Sequence, residues 1–184
     1  GAWQVLATLK KSDRVPQSEL GQRYLRLAEA LLEEPLIYDI CRQALEEAAT
    51  LLTDPTPARQ LLERLEQVLS DRLAHIQKLR VEAVESPDKG RAVALYLQIA
   101  KHFYLLGGHE KDVEDNLAKC NLLQPGNVRV LEFMEHYYLS AYRPKELVDR
   151  VEEIISRVRD PQVVVPLLER KAMYLLVHLQ DVKA

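Results

Sequence analysis

Apolar residues along this chain recur three and four positions apart, with polar residues between them and no long run that alternates with period two. That spacing draws one stripe down the side of an α-helix, so it predicts helices and no sheet. A short apolar piece, Trp3, Leu6 and Leu9, precedes the polar stretch KKSDRVPQSE. Ser18 then opens a helix carrying Leu20, Tyr24, Leu27, Ala28 and Leu31. Pro35 fits a helix start, where its missing N–H costs little, and the next stripe is Leu36, Ile40, Ala44, Ala48, Leu51 and Leu52. After TDPTPAR comes the longest helical pattern, residues 57–84, which ESPDKG ends. Further helices are predicted at 91–106, 110–123, 128–141, 144–158 and 166–179. Loops of a few residues between helices this short force antiparallel neighbours. The expected fold class is all-α, with about eight or nine helices.

Composition agrees with the pattern. Of 184 residues, 47% are hydrophobic and 29% charged, and only 6 are Gly, which favours helices over turns and strands. The net charge of −3 offers no general basic field, so nucleic acid is disfavoured as a partner. No stretch reaches the length of about 18 uncharged apolar residues that a membrane span needs. No signal peptide is read, and a cytoplasmic location is the expectation. Cys41 and Cys120 sit far apart among apolar helical residues and read as small buried hydrophobes.

Gly107-Gly108 raises the question of a phosphate loop. Neither G-x-x-x-x-G-K-[ST] nor G-x-G-x-x-G is present, and no predicted strand precedes the pair. The glycines read instead as a turn between helices, one of them left-handed. The segments around them repeat. Leu97 and Leu131, Tyr104 and Tyr138, Leu117 and Val151, and Cys120 and Ile154 each lie 34 residues apart. Leu131 and Leu167, and Tyr138 and Tyr174, lie 36 apart, the RDPQ turn absorbing the difference. A period near 34 with two helices per unit marks a helical solenoid.

On these residues the chain resembles the tetratricopeptide repeat (TPR) family, with degenerate repeats. Residues 94–127 can be laid on one unit, with Leu97 and Tyr104 in its first helix, Gly108 at the turn and LLQPGN as its L-x-P-x-N ending. Residues 128–163 keep Leu131, Tyr138, Leu147 and Val151, with the closing proline displaced to Pro161, and 164–184 form a partial third unit. Where the family has a small residue in the first helix, this chain has Lys101, Glu135 and Lys171, so wider helix spacing is expected. The resemblance implies a right-handed α-solenoid of antiparallel helix pairs. Residues 1–88 are read as N-terminal helical pairs that include the long helix, and 89–184 as the TPR-like repeats. The whole is expected to be one continuous array and a fragment of a longer chain.

Chemistry is sparse. The five histidines form no H-E-x-x-H, and no serine sits in a G-x-S-x-G elbow. No catalytic residue, metal site or cofactor is assigned, and an enzyme is not expected. His102 and His136 lie 34 apart, in equivalent positions of successive first helices. In the TPR family that position lines the concave groove, which makes Leu95, Gln98, His102, Arg129, Glu132, His136 and Leu139 the candidate partner-binding strip. The family's carboxylate clamp is not predicted, because Gln98 and His102 stand where Lys and Asn are expected and only Arg129 fits. The leading expectation is a non-enzymatic protein–protein interaction scaffold binding a peptide or helix of a partner. The alternative is a ligand- or peptide-responsive regulatory or sensor domain. Self-association through exposed terminal helices is a further expectation.

Overall fold

A computed structural model of the chain describes residues 4, 5, 7 and 8, 15–32 and 38–179. The readings on Trp3, Leu6, Leu9, Pro35 and Leu36 lie outside the described residues. Among the described residues the chain is all-helical, without strands. The helices are α1 (Gln17–Leu31), α2 (Tyr38–Leu51), α3 (Thr56–Glu85), α4 (Lys89–Leu106), α5 (Glu110–Leu123), α6 (Val128–Ser140), α7 (Pro144–Arg157) and α8 (Pro161–Tyr174), followed by a π-turn at Leu175–Leu179. Among the described residues no helix is long and apolar enough to cross a membrane.

Two compact units share the chain. Residues 1–78 with 101–110 form the first, and residues 79–100 with 111–184 the second. In the first unit α1 packs on α2. Tyr24 and Ala28 of α1 and Ile40, Cys41, Ala44, Leu45 and Ala48 of α2 are all buried. The Cys41 thiol reaches the Ala28 carbonyl at 3.4 Å. A Cβ at Gly21 would sit 3.1 Å from Leu51 and Leu52, so glycine is what lets α1 approach the end of α2.

In the second unit α7 packs against α6 and α8. The residues paired by spacing are its core. Leu97, Leu131 and Leu167 are buried, as are Tyr138 and Tyr174, Leu117 and Val151, Cys120 and Ile154, and Val113 and Leu147. Tyr104 departs from this pattern. It is half-buried, and its neighbour Phe103 takes the buried position at 4% exposure. Adjacent helical residues differ by about 100° in direction, so the phenylalanine, with no hydroxyl to satisfy, takes the apolar side.

Left-handed residues shape several of the turns between helices. Gly107 and Gly108 both have positive φ, 72° and 64°, so two residues and not one are left-handed between α4 and α5. Tyr142 lies 34 residues after Gly108, at the equivalent turn between α6 and α7, and its φ is 58°. At the start of α6, Asn127 accepts from the backbone N–H groups of Arg129 and Val130 at 3.1 and 3.3 Å, as an N-cap does. Gly126 before it has φ 75°, and a Cβ there would come within 2.5 Å of Val163 Cγ1.

The last helix starts five residues before the predicted Pro166. Asp160 accepts from the Gln162 N–H at 2.9 Å and Pro161 takes the first helical position. A cap followed by N1 proline is a stronger start signal than a lone proline. Pro166 is carried inside α8, where it removes one backbone hydrogen bond near the helix start. Pro161 therefore opens the next helix and closes nothing.

Two substitutions test the turns. Tyr142→Gly should raise stability by about 0.5–1 kcal/mol, because a left-handed non-glycine costs about 1–2 kcal/mol and glycine's extra chain entropy returns part of that. Gly126→Ala should lower it by more than about 1 kcal/mol through strain and the Val163 clash. Urea denaturation of both variants checks the pair, and a Tyr142→Gly protein weaker than the wild type would place the turn in another conformation. Tyr138→Ala, which empties a fully buried aromatic position, should cost about 3–5 kcal/mol.

Candidate functional site

The candidate strip is best defined on α6. Its inner face, Val130, Leu131, Phe133, Met134, Tyr137 and Tyr138, is buried. Arg129, Glu132 and His136 follow one another at three and four residues and are exposed, and Leu139 is half-buried at the end of the row. On α4, Gln98 is exposed, His102 is half-buried and Leu95 is buried at 8% exposure. Leu95 thus belongs to the packed interior of its helix. The strip residues of α4 divide between the two compact units, Leu95 and Gln98 in the second and His102 in the first.

Sequence reasoning did not find the polar links between helices two apart in the chain. Glu114 of α5 lies 2.8 Å from Arg143 and 3.3 Å from Arg150 of α7. Arg150 continues to Glu153 at 3.1 Å, and Glu153 to Arg157 at 2.5 Å. Arg143 also pairs with Glu146 and lies over the Tyr138 ring, 5.2 Å from its centroid. The Arg143 hydrogen bond holds the Glu146 carboxyl below its usual range. A groove of about 170 Å³ lies along this network, floored by Leu117, Met134, Tyr138 and Ile154 and edged by Lys111 and Arg157. The signal in sequence was only the mixed-charge runs EKDVED and VDRVEEIISR, which read as solvated faces.

Glu135 has a similar part. Its carboxylate accepts from Arg170 and from the Tyr174 hydroxyl of α8. Burial first, and then this bond to a carboxylate, push the Tyr174 phenol well above its ordinary range. The position expected to hold a small residue therefore carries a buried-end polar link. Lys171 is half-buried and pairs with Glu152 of α7 at 3.4 Å, while Lys101 is exposed.

The first unit holds a hollow of about 320 Å³ bordered by Tyr38, Asp39, Arg42, Glu66, Leu73 and His109. Arg42 and Glu66 pair across it at 2.9 Å. Among the described residues no group of three His, Cys, Asp or Glu side chains is placed to hold a metal ion. Both cysteines are free thiols. Burial pushes Cys41 up to about 11 and Cys120 up to about 12, so each is protonated at neutral pH.

Comparison with family models, with curated proteins and with solved structures finds no match for this chain.

Replacing Glu114 tests the network. Glu114→Ala leaves Arg143 without its α5 partner, and the pair is only partly solvated, so a loss of about 1 kcal/mol is expected. The loss should shrink in high salt, because part of the network is open to screening. A loss identical at low and high salt, measured by urea denaturation, would assign the effect to packing alone.

Proposed function

We propose that this chain is a TPR-like right-handed α-solenoid that serves as a non-enzymatic scaffold, capturing a peptide or an amphipathic helix of another protein on its first-helix strip. Support for the solenoid comes from recurrence within the second unit. Core positions repeat there at 34 and 36 residues, and a left-handed turn residue recurs 34 residues apart at Gly108, in the first unit, and Tyr142, in the second. Polar links join helices two apart, α5 to α7 and α6 to α8. Stacked helix pairs have these second-neighbour contacts because each unit rests on the one before it.

One observation carries the functional reading. The strip of Arg129, Glu132 and His136 on α6 has counterparts 36 residues later at Val165, Leu168 and Ala172 on α8, all of them exposed. Val165 is 51% and Leu168 47% accessible, beside Met173, Leu176 and Val177. Exposed apolar side chains grouped on one element are what a binding surface supplies. A ligand lying along such a strip meets polar and titratable groups on one helix and apolar ones on the next. An amphipathic helix or a peptide with an apolar end has that chemistry.

A second reading, a ligand-responsive regulatory domain, draws on the hollow of about 320 Å³ in the first unit. That volume reaches the lower end of the roughly 300–1,000 Å³ usual for small-molecule pockets, whereas the groove of the second unit falls short of it.

The test is affinity capture followed by binding measurements on the partner recovered. Arg129→Glu with His136→Ala should weaken binding at least about tenfold, and Leu168→Asp should do the same. Folding is checked by circular dichroism and denaturation. Unchanged affinity in both folded variants would remove the strip from the interface.

A further inference from the structure

We infer that Arg72, His75 and His102 form a binding site for an oxyanion, a phosphate or carboxylate group, in the first compact unit. This inference stands apart from the strip on α6 and does not need that reading. Arg72 and His75 lie one turn apart on α3, and His102 is on α4. The two imidazole rings meet edge to face, with centroids 5.2 Å apart and planes at 86°. The Arg72 guanidinium carbon lies 5.7 Å from the centre of the Tyr38 ring, an aromatic face on which a planar guanidinium can rest.

Two nitrogen atoms of this cluster, Arg72 Nη1 and His102 Nδ1, are shielded from water and have no hydrogen-bond partner. A buried polar atom left unpaired is costly, and such atoms gather where a ligand completes the set. The nearest acids on the same helix are engaged elsewhere. Glu66 pairs with Arg42, and Asp71 accepts from Gln67 at 2.8 Å. Arg72 itself joins no ion pair among the described residues.

The charge balance favours an anion over a cation. Burial, His75 and Arg72, in that order, lower the affinity of His102 for a proton. Two of those three influences are the repulsion of positive or potentially positive neighbours. An oxyanion among the three side chains reverses that repulsion and accepts from the guanidinium and imidazole N–H groups. A metal ion would meet the guanidinium's charge and only two imidazoles, short of the usual set of ligands. His75 is exposed, so the cluster opens to solvent.

The experiment is an NMR titration of the full chain, following the histidine ring signals, with inorganic phosphate in one arm and acetate in the other. Ionic strength and pH are held fixed with chloride as the balancing salt. The signals of His75 and His102 should shift saturably with one or both anions, while those of His136 and His178 stay in place. Arg72→Ala should weaken that binding at least about tenfold, and Arg72→Lys, which keeps the charge but loses the fork, should also weaken it. The arm that saturates first assigns the group as phosphate or carboxylate. Uniform, unsaturated shifts at all the histidines, or an unchanged titration in folded Arg72→Lys, would overturn the site. Arg72 lies outside the α6 strip, so its variants leave the partner-binding reading to be judged separately.

Discussion

A helix of three or four turns is marginal by itself, and its apolar stripe must be covered by something. Within the compact units part of that cover comes from sequence neighbours: α2 covers α1, and α6 and α8 flank α7. Connections such as Gly107-Gly108-His109 and Ala141-Tyr142-Arg143 are too short to send the next helix elsewhere. Where a helix packs on its neighbour, the residues meeting between them are set by register. Leu131 and Tyr138 occupy one such register on α6, and Leu167 and Tyr174 repeat it on α8. The aromatic hydroxyls make this packing specific, because a buried phenol needs an acceptor. Tyr174 finds one in Glu135.

The polar links fix alignment more than they add stability. Partly exposed ion pairs contribute about 0–1 kcal/mol each, whereas a buried aromatic contributes several times more. Breaking one end of a shielded link is a different matter, since the remaining charge then lacks its partner. Glu135 and Glu114 are part-way to that case, each carboxylate being about a quarter exposed. Each carboxylate joins helices two apart, Glu135 from α6 to α8 and Glu114 from α5 to α7. A slip of one residue between these helices would separate the charges and turn the apolar stripes away together. Core and link therefore select the same register.

Much of this was legible in sequence. The bounds of α5 follow directly from its breakers, and the long α3 from its apolar pattern. Spacing alone picked out Leu97, Leu117, Cys120, Leu131, Tyr138, Val151 and Ile154 as buried positions. What failed was finer than the helical period can resolve. Phe103 and Tyr104 lie next to each other on α4, and the repeat favoured the tyrosine where burial favoured the phenylalanine. Asp160-Pro161 was passed over as a turn because Pro166 also fitted a start. Leu95 shares a face with Gln98 by spacing, yet faces inward. The outward placement of Arg129, Glu132 and His136 on α6 was legible from their polar character at three- and four-residue spacing. Arg72 and His75 carry no signal in sequence, since what sets them apart is the helix that packs beside them.

Inward and outward positions on α6 answer to different constraints. On α6 the inner stripe is fixed by packing, so the outer residues can change without disturbing the register. This freedom appears within the chain itself. Glu132 and Leu168 occupy equivalent outward positions, one charged and one apolar, while Leu131 and Leu167 beside them remain the same buried residue. The first compact unit follows another logic at Arg72 and His102. There a polar group is shielded without a partner, a cost to folding that outward strip residues do not incur. Variation on the outward face of α6 therefore costs little stability, whereas variation at Arg72 and His102 acts on a shielded polar group.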